Sequence, residues 1–240
     1  MSERGSFRSS ANNIEFVFAS RSDGDFSLGV GSPGFQEVRS RMVAHEWCWL
    51  EQVHGPDVMV VEFPGQHRGA SADALVTNVA GAVLAVQTAD CAPVLFAWSG
   101  NDDLGPIVGA AHGGWRGLYE GVIEATVAEM VRLGAVAREI EWRLGPCISP
   151  EAYEFSAADL TTLALRFGPE VVAATAQDGP AFDLRAAVRS CIALSGLDPH
   201  GSSEPACTAL AADPSGEPMF HSWRRRSDSG RQTSAIWIEP

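Results

Sequence analysis

Three side chains able to do chemistry stand at comparable places in the sequence, each at the end of an apolar run. "WLEQVHG" presents His54 just before Gly55 and Pro56, "TADCAPVLF" presents Cys91, and "PIVGAAHGGWRGL" presents His112 before Gly113 and Gly114. Strand ends and the loops after them are where sheet-based enzymes gather functional groups. Two imidazoles and a thiolate form a zinc-type donor set, and three protein ligands leave a fourth position for water. The spacings of 37 and 21 residues are compatible with a site without being diagnostic of one. Two rival chemistries use the same residues. Cys91 can be a nucleophile with His112 as its base and Asp90 orienting the pair, or the His₂Cys set can hold copper with a methionine as axial ligand. On a regular strand Asp90 faces away from Cys91. It is therefore expected to cap a turn or to bond a ligand's second imidazole nitrogen.

His112 has the most informative surroundings. "GAAHGGWRG" reads as a strand, a tight glycine turn and a helix start, and small residues there permit close backbone approach. A helix start offers free N–H groups to an anion, and Arg116 would add a cation. Arg225, within the basic run Arg224 to Arg226 with Arg231 nearby, is the second candidate for holding an anion. Tyr153 and Glu154 follow the turn-like "LGPCIS" and are candidates for lining a pocket. His45, His67, His200 and His221 show no partner spacing. "GVGSPG" (Gly29 to Gly34) matches GxGxxG, but Pro33 lies inside the turn and no βαβ unit surrounds it, so a glycine-rich loop before a helix is expected.

Elements that could position these groups are legible from periodicity. Strands are expected at 14–20, 48–53, 58–62, 72–77, 82–88, 93–98, 106–111, 139–145 and 234–239. Helices are expected at about 34–46, 117–133, 157–166 and 183–195. In the second helix Leu118, Val122, Ile123, Thr126, Val127, Met130 and Val131 hold a helical apolar stripe. Strands outnumber helices and often follow one another directly. This argues for mixed sheets with helices packed outside, an α/β (α+β) design in one domain over 14–240. Residues 1–13, "MSERGSFRSSANN", read as a disordered tail with no hydrophobic signal core.

Composition removes several function classes. The net charge of −13 repels nucleic acid and anionic membranes. No apolar run approaches the roughly 18 residues of a membrane-spanning helix. All 17 basic residues are arginine, so a Schiff-base lysine, a pyridoxal-phosphate anchor and a P-loop lysine are excluded. Five cysteines without a CxxC pair fit a reduced, cytoplasmic thiol set, and Cys191 falls on an amphipathic helix as a core residue. A multicopper oxidase needs on the order of ten histidines, usually as His-x-His pairs. This chain has 6 and no such pair.

"EQVHG", "ADALVT", "TADCAPVLF", "GAAHGGWRGL", "LGPCIS…YEF" and "FHSWRRRSDSGRQTSAIWI" are similar, in this order, to the successive signatures of the laccase-domain, or polyphenol oxidase-like, family. That family is described as purine nucleoside phosphorylases, and some members are named peptidoglycan editing factors. The resemblance spans residues 14–238. It implies an α-β-β-α sandwich similar to the cytotoxic necrotizing factor-like cysteine hydrolases. It also implies a zinc ion on His54, Cys91 and His112. The implied activity is phosphorolysis of adenosine, inosine, guanosine and methylthioadenosine, with deamination of adenosine. Purine nucleosides and phosphate are then the expected partners, for a monomer or homodimer, and a cysteine hydrolase acting on a cell-wall precursor is the alternative. The chain departs from the family pattern at "SRSDGDFS" (Ser20 to Ser27), at Ala152 and at "FHSWRRRSD", all expected at a pocket rim.

Overall fold

Residues 82–88, 92–98, 107–113 and 232–238 are almost continuously buried. Strands buried along nearly their whole length are stable only where both faces are covered. The computed structural model describes residues 2–7, 13–27 and 33–240, with side chains from residue 36 onward in the last segment. Two mixed sheets stack face to face, and helices cover both outer faces.

The first sheet has six strands in the order β1 (Glu3–Ser6), β2 (Ile14–Phe18), β13 (Gln232–Ile238), β7 (Ala82–Thr88), β3 (Glu46–Glu51) and β5 (Ala70–Ser71). The second has five, in the order β10 (Glu141–Leu144), β8 (Ala92–Trp98), β9 (Ile107–Gly113), β6 (Ala74–Thr77) and β4 (Val58–Val60). A separate hairpin joins β11 (Val172–Ala174) to β12 (Pro180–Phe182). Outside the first sheet lies α1 (Pro33–Met42). The second sheet is covered by α2 (Trp115–Glu120), α3 (Val122–Arg132), α4 (Ala157–Phe167) and α5 (Leu184–Leu194). The short α6 (Trp223–Arg226) precedes β13.

Side chains alternate along a strand, so each strand divides its residues between two layers. In β8, Val94, Phe96 and Trp98 face the helices while Leu95 and Ala97 face the other sheet. In β7, Leu84 and Val86 face the second sheet while Val83 and Ala85 face the side of α1. Three cores result, one between each pair of adjacent layers, and this is the expected α-β-β-α order.

Several boundaries differ from expectation for identifiable reasons. Glu3–Ser6, expected in a disordered tail, form β1 against β2. Phe7 anchors this edge: it is buried, its ring centroid lies 5.3 Å from that of Phe16, and Arg143 stacks on it. The helix expected over 117–133 is two helices, because Gly121 takes φ +98° and its N–H caps α2 on the Gly117 and Leu118 carbonyls. The first helix ends at Met42 rather than 46, and β3 takes over at Glu46 beside Ala82 of β7. Residues 29–32 of the glycine stretch 29–34 lie outside the described residues, and its last two residues open α1 at Pro33.

Ahead of β13, His221 is 8 % exposed, and neither ring nitrogen bonds to a described residue. A Cβ at position 230 would sit 2.4 Å from its ring, so Gly230 makes room for the imidazole. Burial holds His221 below its ordinary pKa of 6.5; Arg21 and Arg231 push the same way, and Asp25 and Asp228 oppose. The unfolded chain therefore takes up this proton first, and stability present above pH 6.5 is lost as pH falls through the range below it. Urea midpoints between pH 7 and 5 should fall less steeply in His221→Phe than in the wild type. Equal slopes would show that another group is responsible.

Candidate metal and substrate site

An acid buried at the head of an apolar strand needs several donors, and Asp73 has four. Its carboxylate accepts the backbone N–H groups of Val53 (3.2 Å), His54 (2.9 Å) and Gly55 (2.8 Å), and lies 2.8 Å from His112 Nδ1. Burial would raise the Asp73 pKa, but the His112 bond and these N–H groups outweigh it and hold the acid ionised. An ionised carboxylate only accepts, so His112 carries its proton on Nδ1 and turns Nε2 toward the site. The Asp73 carbonyl also accepts the His112 N–H at 2.8 Å.

His54 sits at φ +62°, a left-handed turn held open by those backbone bonds. The turn brings its ring to 4.8 Å, centroid to centroid, from that of His112, and its Nε2 to 3.8 Å from Cys91 Sγ. One ligand atom from each of His54, Cys91 and His112 lies within 4.8 Å of the others, and no other such cluster of three exists among the described residues. Gly114 permits the approach: a Cβ there would meet His54 Cδ2 at 2.6 Å. Burial would raise the Cys91 pKa, but the His112 and His54 imidazoles outweigh it and favour the thiolate. Burial would lower that of His112, but Cys91 and Asp73 outweigh it.

Cys91 is aimed by its neighbour. Asp90 adopts φ +97° and is buried; its carboxylate accepts from the Thr208 hydroxyl (2.7 Å) and the Arg224 N–H (2.6 Å). Its carbonyl accepts from the Ile148 N–H at 2.9 Å. Asp90 is thus a turn residue that clamps the chain before Cys91. It bonds neither site imidazole; that position belongs to Asp73.

His54, Cys91 and His112 open into a cavity of about 950 Å³. Phe26, Trp49 and Trp223 give it aromatic walls, Gln52, Gln87, Thr88, Ser27 and Ser229 give it polar ones, and Arg39 and Arg231 supply cations. The four substrate-binding candidates from sequence do not line it. Arg116 is exposed and stacks on Trp115, because the strand runs through His112 to Gly113 and the helix start turns its side chain outward. Tyr153 is buried among Phe155 and Phe182, and Glu154 is exposed, its backbone carbonyl accepting from Arg224. Arg225 is exposed on α6, its N–H capped by Ser222 Oγ at 3.2 Å. The arginine cluster serves the fold instead: Arg224 stacks 4.6 Å above Tyr153, and Arg226 donates to the Ala209 and Thr208 carbonyls. Sequence reasoning missed Asp73, although an acid within "ADALVT" is a visible anomaly. It also missed Arg39, Trp49 and Gln87, which carry no local signal.

The fold and site define an α+β sandwich with a His₂Cys group opening into a cavity. Over residues 34–239 the chain matches the family model described as multi-copper polyphenol oxidoreductase laccase, and it belongs to that family. It is 36% identical over 192 residues to a purine nucleoside phosphorylase of Streptomyces coelicolor, covering 80% of this chain and 74% of that one. It is 35% identical over 193 residues to the purine nucleoside phosphorylase YfiH of Escherichia coli, covering 79% and 73%. Among solved structures, Neisseria meningitidis protein NMB0706 aligns with TM-score 0.80 at 28% identity, over 100% of this chain and 99% of that one. YlmD from Geobacillus stearothermophilus aligns with TM-score 0.74 at 25% identity, over 96% and 93%. The single three-ligand cluster among the described residues does not match the "multi-copper" part of the family's description. No helix among them is long and apolar enough to cross a membrane.

If the His54, Cys91 and His112 cluster holds zinc, Asp73→Asn should lower the affinity for it by about 10–100-fold, because the group that orients His112 is lost. Competition with a chromophoric chelator measures this, and unchanged affinity would remove Asp73 from the site.

Proposed function

We propose that the protein is a zinc-dependent purine nucleoside phosphorylase, acting on adenosine, inosine, guanosine and methylthioadenosine, that also deaminates adenosine. The observation that carries this reading is the His54, Cys91 and His112 cluster facing an aromatic-walled cavity, in a chain related to proteins named purine nucleoside phosphorylases.

The residues fit the metal. A tetrahedral zinc ion has ligand bonds of about 2.0–2.3 Å to nitrogen and sulfur. Donor atoms already within 4.8 Å of one another need only a small closure to reach it. Two neutral imidazoles with one thiolate give a site of charge +1, and Asp73 fixes one of the two tautomers. When bound, zinc supplies a Lewis acid and an acidified water for hydrolytic deamination.

The chain's own residues explain how a nucleoside would be held. Trp49, Trp223 and Phe26 offer flat apolar faces to a purine, and the cavity volume of about 950 Å³ accommodates a nucleoside with phosphate. In phosphorolysis a phosphate oxygen bonds to C1′ as the C1′–N9 bond breaks. The electron pair leaves with the purine, which takes up the proton given up by phosphate. Holding both reactants in one enclosed space supplies the proximity this step requires.

A second reading has its own observation. The low-pKa Cys91, 3.8 Å from His54 Nε2, is also the arrangement of a cysteine hydrolase. Iodoacetamide separates the two, because a zinc-bound thiolate stays protected until chelator is added whereas a nucleophile is alkylated in the native protein.

Metal-replete protein given adenosine should yield adenine and ribose 1-phosphate with phosphate present, and inosine without it. His54→Ala should lose both activities by at least about 100-fold. No product from the wild type, or equal rates in the variant, would refute the reading.

A further inference from the structure

Two thiols outside the His54, Cys91 and His112 cluster lie side by side. Cys147 and Cys207 stand 60 residues apart along the chain and form an isolated parallel β-bridge. The Cys147 N–H donates to the Ala206 carbonyl at 3.3 Å, and the Cys147 carbonyl accepts from the Thr208 N–H at 3.1 Å. These bonds flank Cys207, so the two side chains leave the bridge on the same face. Neighbouring strands run about 4.7–4.9 Å apart, inside the roughly 4.4–6.8 Å between Cα atoms that a disulfide spans. A second observation places the side chains together. Both pack into the core between the second sheet and its helices, Cys147 within it and Cys207 at its margin. The Cys207 Sγ also accepts the Ser149 N–H at 3.3 Å, so the sulfur already leans over the segment that carries Cys147.

The two thiols differ in reach. Cys147 is fully buried, and burial pushes its thiol up to about 12 against the opposing pull of Arg185. Cys207 is half-buried and follows the exposed Ala206. An oxidant therefore meets Cys207 first, and Cys147 completes the bond. The residue after each cysteine holds the same acid. The Ile148 N–H donates to the Asp90 carbonyl at 2.9 Å, and the Thr208 hydroxyl donates to the Asp90 carboxylate at 2.7 Å. Asp90 in turn sets the chain just before Cys91. Cys48 and Cys191 are buried elsewhere, on β3 and α5.

We propose that Cys147 and Cys207 are a reversible redox pair, whose disulfide fastens together the two segments that clamp Asp90. The oxidant is hydrogen peroxide. The Cys207 sulfur attacks one peroxide oxygen, the O–O bond breaks, and a sulfenic acid forms as one water leaves. A turn about χ1 exchanges the Ser149 bond for the Cys147 sulfur. Cys147 then attacks the oxidised sulfur: the S–S bond forms, the S–O bond breaks, and the departing hydroxide takes up the Cys147 proton as a second water. Two thiols lose two electrons and two protons, and one peroxide becomes two waters. A dithiol reductant reverses the bond by exchange. No step depends on nucleoside chemistry.

The test treats the whole chain with hydrogen peroxide and digests it without reductant. Mass mapping should find one cross-linked peptide pair joining Cys147 to Cys207, lighter by two hydrogens and released by dithiothreitol, with Cys48 and Cys191 still thiols. The oxidised protein should melt about 5 °C above the reduced one, because the closed loop restricts the unfolded chain. The Ile148 amide should exchange with deuterium about tenfold more slowly once the clamp is fastened. Cys207→Ser and, independently, Cys147→Ala should each lose the cross-link and the melting shift. Cys207 carried on to a sulfinic acid while Cys147 stays a thiol overturns the pair, as does a disulfide from Cys207 to Cys91 or to a second chain. A Cys147–Cys207 disulfide that leaves melting and Ile148 exchange unchanged overturns the clamp.

Discussion

The site depends on one buried carboxylate. Asp73 stands where the head of β6 meets the turn after β3 and the end of β9, and it binds both. Taking an ionised acid out of water is expensive unless every lone pair finds a donor. Here three backbone N–H groups and one imidazole meet that need, and in doing so they fix the left-handed turn at His54 and the tautomer of His112. The cost of burial is converted into geometry: neither histidine can move far without stripping a donor from the acid. Cys91 is placed by a parallel device, with Asp90 tying its strand end to Thr208 and α6.

The stacked sheets make such devices possible. Because β6, β7, β8 and β9 are covered on both faces, their positions are set by packing in three cores rather than by local propensity. The polar groups collect where strands end, since a buried strand interior offers no water and few spare donors. Glycine matters at Gly114, where the His54 ring occupies the space a side chain would fill.

The cavity also shows why arginine number is a poor guide to arginine function. The conspicuous run at 224–226 holds loop carbonyls and stacks on Tyr153, whereas the solitary Arg39, from a helix on the other side of the molecule's first sheet, reaches the cavity. A charge cluster in sequence records neighbours along the chain. A binding site is made of neighbours in space.

The sequence by itself determined a mixed-sheet design with helices outside, the nine main strands to within a few residues, and the prominence of His54, Cys91 and His112, while the α-β-β-α layer order came from the family resemblance. The former follow from local signals: period-two burial, helical stripes, and reactive residues set at the ends of apolar runs. The split at Gly121 and the strand at Glu3–Ser6 escaped because one turns on a single positive φ and the other on a distant ring, Phe16. Only the tertiary structure decided that Asp73 and not Asp90 supports a histidine, and that Arg39, Trp49 and Gln87 rather than Arg116, Tyr153, Glu154 and Arg225 face the cavity. The physical reason is the same in each case. Hydrogen bonds and cavity walls join residues from different elements, and the direction a side chain points depends on strand register and turn geometry, which periodicity along one chain does not encode.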